Sequence, residues 1–291
     1  MKNQKIKHIP VLLKEFLQSF KDSEIKVFVD GTLGAAGHAK AILDEHTEIE
    51  TFIGLDQDQV ALDIANENLK EYMNKVSLFH ENYKNIDKIL DELNIKKCDG
   101  IFLDIGVSSM QIDSESRGFS FRFDSYLDMR MNKDSRLTAF EVINKFSQRE
   151  LERIFSEYGE EGKAKKAAIA IVQERRKKKI ETTFDLLKVL EPVLGKRRKI
   201  HPATKIFQAL RIYVNDELNV LKEGLQKAIN RLEKNGKIAV ISFHSLEDRI
   251  VKHAFKEDKS LKILTKKPIV AGREERNPRA RSAKLRIAIK L

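Results

Sequence analysis

Short apolar runs and helical repeats alternate along the first third of the chain. Short, mostly apolar runs predict buried strands, and the stretches between them carry the 3.6-residue spacing of helices. Four such strands are predicted, at 26–30, 51–56, 76–79 and 99–104. A repeating strand and helix pattern is typical of a doubly wound α/β fold with a parallel sheet.

A long helical region interrupts this pattern. A fifth strand is predicted at 237–242, after a long helix over 216–232, and an alternating strand follows at 285–289. One helix normally suffices to connect two parallel strands, whereas well over a hundred residues separate strands four and five. We therefore predict an inserted helical subdomain at 113–208, within a sheet domain made of 1–112 and 209–291. The helices predicted there or at its edge cover 148–158, 163–179, 184–194 and 204–213.

Composition narrows the class of protein. A chain of 291 residues with 16 Phe can bury a sound core, although 34% of its residues are charged. The lone cysteine, Cys98, supplies neither a disulfide nor a zinc-binding cluster, so we expect a reducing, cytoplasmic location and no metal site. No apolar run approaches the roughly 20 residues that span a bilayer, so no membrane partner is expected.

The net charge of +11 is unevenly distributed along the chain. Residues 1–162 carry a charge of −9, whereas 163–211 carry +11 and 259–291 carry +9, with a neutral segment between them. Separated basic blocks suit a protein that binds a polyanion such as nucleic acid. The alternative is a pair of solvated basic helices, and charge alone does not decide between them.

A glycine turn follows the first strand and leads into a helix. In doubly wound sheets the ligand lies beyond the carboxyl ends of the strands, near this turn. Gly31, Gly34 and Gly37 would let the backbone approach a ligand closely, and Asp56 ends the second strand where an acid accepts hydrogen bonds from ribose hydroxyls. These features predict an adenosine-containing ligand. The alternative is a tight turn with a helix-capping Asp.

The spacing of the glycines distinguishes between two adenosine ligands. The dinucleotide fingerprint G-x-G-x-x-G is replaced by G-x-x-G-x-x-G, which disfavours NAD. Tyr83, after the third strand, offers a ring for an adenine. Asp104, which ends the fourth strand, and the nearby Ser108 lie where a methyltransferase brings methyl group and acceptor together. S-adenosylmethionine is therefore the favoured ligand.

At this point the sequence resembles a known family. It is similar, over essentially its whole length, to the bacterial 16S ribosomal RNA cytidine-N4 methyltransferases, the RsmH or MraW family, whose fold is a Rossmann-like methyltransferase sheet. The motifs that carry the resemblance are HIPVLL (8–13), DGTLG (30–34), GLDQD (54–58), LDIGVSS (103–109), RGFSF (117–121), LDMRM (127–131), YGEE (158–161), HPAT (201–204), FQALRI (207–212), SFHSLEDR (242–249) and NPRARSAKLR (277–286).

The resemblance implies S-adenosylmethionine as methyl donor. The residues that it assigns to the donor are Ala36, Gly37, His38, Asp56, Tyr83, Asp104 and Gln111. The family usually has Gly at the position of Ala36 and Phe at that of Tyr83. The added methyl group of Ala36 predicts a shifted turn or weaker donor binding, whereas Tyr83 keeps the ring.

The acceptor implied by the resemblance is the exocyclic amine of a cytidine in 16S rRNA of the small ribosomal subunit. This amine is a poor nucleophile that the site must orient and shield from water. Asp104, Ser108 and His244 are our candidates for positioning it, with Asp248 beside His244, and no general base is assigned. The alternative for His244 is a capping or packed histidine.

Five basic residues are predicted to contact the RNA: Arg117, Lys205, Arg211, Arg279 and Arg281. A homodimer is plausible by the resemblance. Two other functions stay open: methylation of another nucleic acid, and a non-catalytic RNA-binding role in ribosome assembly that has lost the donor. Donor binding and the identity of the methylated nucleoside would discriminate them.

Overall fold

A computed structural model describes residues 10–195, 201–272 and 277–291. His8 and Ile9 of the first motif, and the basic residues at 196–199, lie outside these ranges. The chain forms two compact units. The first combines the chain up to Gly106 with Leu218–Leu291, and the second is Val107–Glu217. The predicted insert, 113–208, falls inside the second unit.

Twelve α-helices lie in the described ranges. In chain order, α1 to α12 span Leu13–Phe20, Gly37–Glu45, Gln59–Asn68, Ile86–Glu92, Ser109–Asp113, Ala139–Lys145, Gln148–Glu157, Ala164–Arg175, Thr183–Leu194, Thr204–Val214, Glu217–Arg231 and Ser245–Glu257. Short 3-10 turns cover Lys70–Tyr72, Tyr83–Asn85 and Pro278–Ser282. Among the described residues, no helix is both long and apolar enough to cross a bilayer.

The first unit is built on one sheet, which has eight strands in the described part of the chain. Strands β1 to β8 span Val27–Asp30, Thr51–Asp56, Val76–His80, Cys98–Asp104, Leu232–Ser242, Leu261–Ile263, Ile269–Val270 and Lys284–Lys290. Their order is β3-β2-β1-β4-β5-β8-β6, and β7 also pairs with β8. Strands β1 to β5 are parallel, whereas β8 runs antiparallel to β5. This mixed α/β sheet has the predicted fold class.

Both faces of the central strands are buried, which explains their continuous apolar runs. Phe28 and Phe102 face one side, where they pack with Phe16 of α1. Val29 and Leu103 face the other side, in a core shared with α4 and α11. The parallel register brings the carboxyl ends of β1, β2 and β4 to one edge of the sheet, so Asp30, Asp56 and Asp104 end neighbouring strands there.

Strand β5 differs from its prediction. The prediction began this strand at 237, but β5 begins at Leu232 and continues through Asn235 and Gly236. Cys98 pairs with Leu232 and Gly100 with Lys237, so the intervening residues of β5 form a large bulge. Asn235 adopts a left-handed backbone with φ of 66°. This residue type tolerates that conformation, which is why the same pair reads equally well as a helix stop or a bulge.

The second unit is helical and has its own core. The side chains of α6 to α10 bury one continuous apolar cluster, which includes Ile154, Phe155, Ile171, Leu190 and Leu210. Helices α6 and α7 each begin with a capping box, Thr138 with Glu141 and Ser147 with Glu150. Such caps fix where a helix starts by satisfying its first N–H groups.

Candidate active site

The glycine turn of the first unit leads from β1 into α2. Ala36, just before the helix, has a left-handed backbone with φ of 62° and is only 1% exposed. A non-glycine residue in this conformation costs roughly 1–2 kcal/mol. The turn nevertheless keeps the geometry that a glycine would favour, because the methyl group of Ala36 packs into the core.

Two of the three glycines make room for the protein's own side chains. A Cβ on Gly31 would lie 2.5 Å from Leu103 Cδ2, and one on Gly37 would lie 2.6 Å from Pro10 Cγ. Gly34 has φ of 54°, which itself favours glycine. Gly31 and Gly37 are therefore needed for internal packing, and close approach of a ligand to their backbone stays a prediction.

Asp56 ties the glycine turn to the start of α3. Its Oδ2 accepts the Gly34 N–H at 2.8 Å, and its Oδ1 accepts the Asp58 N–H at 2.9 Å. The Gln57 N–H also acts on this carboxylate, and since a carboxylate can accept about four hydrogen bonds, some acceptor capacity is left. Burial raises the pKa of Asp56 to about 6. Its position and its spare acceptors suit a ribose diol.

Asp30 and Asp104 meet at Thr32. Asp30 Oδ1 accepts the Thr32 N–H at 3.0 Å, and the Asp104 N–H donates to Thr32 Oγ1 at 2.6 Å. Asp30 is 1% exposed, whereas the Asp104 side chain keeps 24% of its surface accessible. Asp104 Oδ1 is nevertheless buried and has no hydrogen-bond partner among the described residues. Asp30 ends the strand predicted at 26–30, but no role was predicted for it from the sequence.

Burial dominates the titration of both carboxyl groups. It raises the pKa of Asp30 to about 7, and Asp56 adds to this effect. It also holds the pKa of Asp104 well above its usual range, with Asp30 and Glu247 contributing repulsion. Taking a charge out of water without a counter-ion favours the neutral acid, which explains both directions.

Because of Asp30, the stability of the protein is expected to fall as pH rises from about 4 to 7. In this window the folded state keeps a proton that the unfolded chain has already lost. At pH 8 the Asp30→Asn variant should be more stable than the unmodified protein by up to about 4 kcal/mol, and at pH 4 the two should be nearly equal. Urea unfolding at both pH values measures this, and a difference that does not depend on pH would contradict it.

His38 is held between the turn and the sheet. Its Nε2 donates to the Val11 carbonyl at 2.9 Å, and its ring packs against Phe16 and Phe102. Its Nδ1 lies 3.9 Å from Asp104 Oδ2. The resemblance assigned the backbone at 36–38 to the donor, and the structure adds that the His38 side chain is an internal packing group beside Asp104.

Tyr83 is more deeply buried than an open stacking platform. The residue is 8% exposed, and its ring lies against Gly224 of α11. A Cβ on Gly224 would lie 2.5 Å from Tyr83 Cδ2 and 2.6 Å from Cε2. Gly224 was absent from the sequence-based candidates, because a single glycine inside a helix gives no sign of its neighbour. Contact of Tyr83 with an adenine stays a prediction, limited to the part of the ring that remains accessible.

Gly224→Ala is expected to displace the Tyr83 ring and weaken donor binding about tenfold. The alanine would gain roughly 1 kcal/mol of helix propensity, so a loss of donor affinity would arise from the clash rather than from the helix. Gly272→Ala is the matched control, because a Cβ there meets nothing within 4 Å. Calorimetric titration with S-adenosylmethionine would compare the two variants, and equal affinities would show that the ring is not part of the donor site.

His244 caps helix α12 and is engaged by Glu247. Its Nδ1 accepts the Glu247 N–H at 3.4 Å, and its Nε2 lies 2.9 Å from Glu247 Oε1. Glu247 is fully buried, and its Oε2 accepts the Phe243 and His244 N–H groups. Nδ1 thus caps the helix, whereas Nε2 is buried and makes no hydrogen bond with the described residues despite its proximity to Glu247. The capping role is present in the structure, and contact of His244 with a cytosine stays a prediction.

Asp248 also has an internal role. Its carboxylate pairs with Arg286 at 2.7 Å and with Lys284 at 3.1 Å, and these two residues lie on β8. The two cations hold the pKa of Asp248 below its usual range despite burial, which alone would raise it. Asp248 therefore joins α12 to the sheet, and its suggested contact with a cytosine is corrected.

Ser108 and Gln111 belong to the second unit, where they form the capping box of α5. Ser108 Oγ accepts the Gln111 N–H at 3.2 Å, and the Gln111 side chain accepts the Ser108 N–H at 3.1 Å. Gln111 is 5% exposed. Their suggested roles toward donor and amine stay predictions, and the capping box fixes the backbone from which these roles would be performed.

Two of the five predicted RNA contacts take part in internal networks instead. Arg117 is 6% exposed, and its Nη2 donates to the carbonyls of Arg130 and Met131. Arg211 makes a bidentate pair with Glu217, with both distances 2.8 Å. The Arg117 prediction is therefore corrected, and the ion pair of Arg211, whose side chain is 14% exposed, favours an internal role over contact with RNA. The motif resemblance marked these residues, but their role is to hold the second unit together.

Two of the other three predicted RNA contacts are exposed. Lys205 is exposed and donates to the Glu160 carbonyl at 2.8 Å. Arg281 is exposed. Arg279 lies in a 3-10 turn, and its side chain is outside the described part of the structure. Lys205 and Arg281 remain predicted RNA contacts.

The fold and this edge of the sheet define a class of protein. A parallel sheet with acids at the ends of β1, β2 and β4 around a glycine turn is the arrangement of an α/β methyltransferase. The fold is similar to that of a candidate rRNA methylase from Clostridium thermocellum, with a TM-score of 0.50, 12% identity, and coverage of 98% of this chain and 100% of that one.

The chain belongs to the MraW methylase family, whose model matches residues 5–291. It is 45% identical to the ribosomal RNA small subunit methyltransferase H of Clostridium botulinum (strain Loch Maree / Type A3), over 98% of this chain and 99% of that protein. It is 49% identical to the protein of the same name from Sulfurihydrogenibium sp., over 97% and 98% of the two chains. The predicted family and fold class are confirmed, and S-adenosylmethionine is the methyl donor of this class.

The residues of the first unit fit this donor. Asp56 has spare acceptor capacity for ribose hydroxyls, and Asp104 has a buried oxygen without a partner in the described chain. An orphaned buried acceptor is costly unless a ligand or water satisfies it. The site thus has unused hydrogen-bond acceptors at the place where S-adenosylmethionine is expected to bind.

Proposed function

We propose that this protein transfers a methyl group from S-adenosylmethionine to the N4 amine of a cytidine in 16S rRNA of the small ribosomal subunit. The observation that carries the proposal is 45–49% identity, over nearly the full length, to proteins named ribosomal RNA small subunit methyltransferase H. The motif resemblance adds the cytidine and its N4 atom. The cytoplasm is the proposed location, because ribosomal subunits are its substrate.

Donor binding would use residues of the first unit. Asp56 would accept hydrogen bonds from the ribose hydroxyls, and the backbone of residues 36–38, at the start of α2, would meet the methionine part. N–H groups at a helix start suit a carboxylate. When bound, S-adenosylmethionine supplies a methyl group already activated by positive sulfur.

Asp104 would orient the acceptor amine. Its Oδ1 lies at the end of β4 and has no hydrogen-bond donor among the described residues. A hydrogen bond from the amine to this oxygen would turn the nitrogen lone pair toward the methyl group. Orientation matters here because that lone pair is delocalised into the cytosine ring. Asp104 thus acts as the group that touches the reacting nitrogen.

The RNA would be held by exposed basic residues of the second unit. A cytidine that leaves its stack to reach an enzyme pocket costs roughly a few kcal/mol, which phosphate contacts must offset. Lys165 and Lys166 on α8, and Lys178 and Lys179 after it, are exposed. Among the described residues these four lysines have no carboxylate within 4 Å, whereas Lys177 pairs with Glu174. They replace Arg117 and Arg211 as our candidates.

Changing Lys165, Lys166, Lys178 and Lys179 together to Gln is expected to weaken binding of 16S rRNA and lower its salt dependence. Each phosphate that is no longer neutralised should reduce the slope of log affinity against log salt by about 0.7–0.9. The matched control changes the exposed Lys14, Lys40, Lys70 and Lys88 of the first unit to Gln. Filter binding at several salt concentrations measures the slope, and an equal effect of both sets would mean that only net charge matters.

The proposed reaction is tested with small subunits from cells that lack the enzyme. They are incubated with the protein and labelled S-adenosylmethionine, and the digested RNA is analysed by mass spectrometry for N4-methylcytidine. Label in N4-methylcytidine, absent with Asp104→Ala, supports the proposal. Donor binding with label only in another nucleoside or in DNA would overturn the acceptor. Absence of donor binding would favour an assembly factor.

A further inference from the structure

Two buried carboxyl groups lie next to each other at the reacting end of the sheet. Asp30 and Asp104 end the paired strands β1 and β4, and Thr32 lies between them: its N–H and hydroxyl bond the Asp30 carboxyl group, and its hydroxyl oxygen accepts the Asp104 backbone N–H. Asp30 accepts the Thr32 N–H, but Asp104 Oδ1 has no donor among the described residues. The two carboxyl groups thus lie at the ends of adjacent strands and repel each other, and within the described chain only Asp30 has protein donors on its carboxyl oxygens.

The groups that face this pair do not neutralise it. Glu247 of α12 and Asp56 of β2 are also acids, and both act on the pair by repulsion. His38 of α2 is the basic group nearest to Asp104 in the described chain, at 3.9 Å, and its Nε2 is committed to the Val11 carbonyl. His244 lies against Glu247. Two ionised carboxylates in such surroundings are strongly unfavourable.

We propose that Asp30 and Asp104 together hold one proton in the free protein, that the cationic methyl donor displaces this proton on binding, and that the neutral product does not. The inference rests on the proposed function. It makes Asp30, which no motif assigns to the donor, a residue that distinguishes donor from product by charge. Burial raises the pKa of both carboxyl groups, that of Asp30 to about 7, which favours protonation of the pair near neutral pH.

The charges of the two ligands explain the distinction. At about pH 6.5 both carry an ammonium and a carboxylate, which cancel, but S-adenosylmethionine has in addition a positive sulfur. S-adenosylhomocysteine has a neutral thioether in its place. Only the donor therefore supplies a positive charge that stabilises a second ionised carboxylate, and one proton leaves for the solvent as it binds.

The same pair can take up the proton that methylation releases. Transfer forms a nitrogen–carbon bond, breaks the sulfur–carbon bond, and leaves the methylated amine with one proton too many. The pair, already without its proton, accepts it as the sulfur loses its charge. The net charge of the pocket is then the same before and after the reaction, and the neutral product leaves a site that has returned to its resting protonation.

Calorimetry in several buffers tests the proposal. S-adenosylmethionine and S-adenosylhomocysteine are titrated into the protein at about pH 6.5 in phosphate, MES and imidazole, whose ionisation enthalpies differ. For the donor, the observed enthalpy should vary with the ionisation enthalpy with a slope that approaches one proton released. For the product the slope should be close to zero. Donor binding without a slope, or equal slopes for both ligands, would overturn the proposal.

Variants assign the proton to the pair. Asp104→Asn and Asp30→Asn should each lower the slope by at least half, and Asp30→Asn keeps the free oxygen of Asp104 in case the first variant no longer binds. Asp63→Asn, an exposed acid of α3, is the matched control and should leave the slope unchanged. An unchanged slope in Asp30→Asn would move the proton elsewhere and overturn the assignment.

Infrared difference spectra give a reading that is independent of any variant. Donor binding should remove the C=O stretch of a protonated carboxylic acid, and product binding should leave it. A band that persists with the donor bound would overturn the proposal even if heat is exchanged with the buffer. A protein that binds neither ligand would overturn the proposed donor itself, which is a different result from binding without proton release.

Discussion

Asp56→Ala is expected to lower the affinity for S-adenosylmethionine at least a hundredfold. Two hydrogen bonds from ribose hydroxyls to a carboxylate contribute roughly 3 kcal/mol or more together, and about 1.4 kcal/mol corresponds to a factor of ten. The same change frees the Gly34 and Asp58 N–H groups that shape the turn, which adds to the loss. Calorimetric titration measures the affinity.

The control for this prediction is Asp56→Asn. Its amide oxygen can replace only one of the two carboxylate oxygens, so an intermediate loss is expected. Thermal melting of each variant without ligand separates loss of the site from loss of the fold. If Asp56→Ala binds the donor within threefold of the unmodified protein, Asp56 does not hold the ribose.

Arg211→Ala is expected to destabilise the second unit by about 3–5 kcal/mol. The change leaves the carboxylate of Glu217, which is 6% exposed, without its bidentate partner, and an unpaired buried charge carries a cost of this size. Hydrogen exchange of the α10 amides, together with circular dichroism in urea, would locate and measure the loss.

A double variant separates the ion pair from other effects. Arg211→Ala combined with Glu217→Gln removes the orphaned charge, so it should be less destabilised than Arg211→Ala alone. At a temperature where both are folded, their affinity for 16S rRNA should match that of the unmodified protein within about twofold. Unchanged stability with a large loss of RNA affinity would restore Arg211 as an RNA contact.

The parallel sheet was predictable because its strands are buried on both faces. Such strands are continuous apolar runs that end abruptly, and β2 was predicted over its observed range, Thr51–Asp56. Strand β5 was predicted only in part, because Asn235-Gly236 fits a helix stop as well as a bulge. Local residue preference does not tell which of these the partner strand imposes.

The candidate site was predictable as far as chain position determines it. Acids at the ends of neighbouring parallel strands must share an edge of the sheet, so Asp56 and Asp104 could be singled out from the pattern. The partners of a side chain depend on packing across the unit, which sequence spacing does not give. Gly224 beside Tyr83, Glu247 beside His244 and Glu217 beside Arg211 are all of this kind.

The roles of the basic residues were also only partly predictable from the sequence. A guanidinium group can serve equally well on a surface or inside a network of carbonyls, and the sequence is the same in both cases. Arg117 and Arg211 have apolar neighbours within their motifs. These neighbours favour burial of the two arginines over contact with RNA. Exposed lysines such as Lys165 and Lys166 belong to no motif. They were therefore counted in the basic segment 163–211 but were not singled out as RNA contacts.

The second unit is inserted between two adjacent strands, and this has a consequence for the order in which the chain is made. Strand β4 leaves the ribosome with an open edge, and the whole of Val107–Glu217 must be synthesised before β5 can cover it. Strand β5 in turn needs β8, which begins only at Lys284, on its other side. The helical unit is a continuous segment, so it can fold before the sheet is complete. Vectorial synthesis therefore favours a nascent chain in which the helical unit matures before the sheet of the first unit closes.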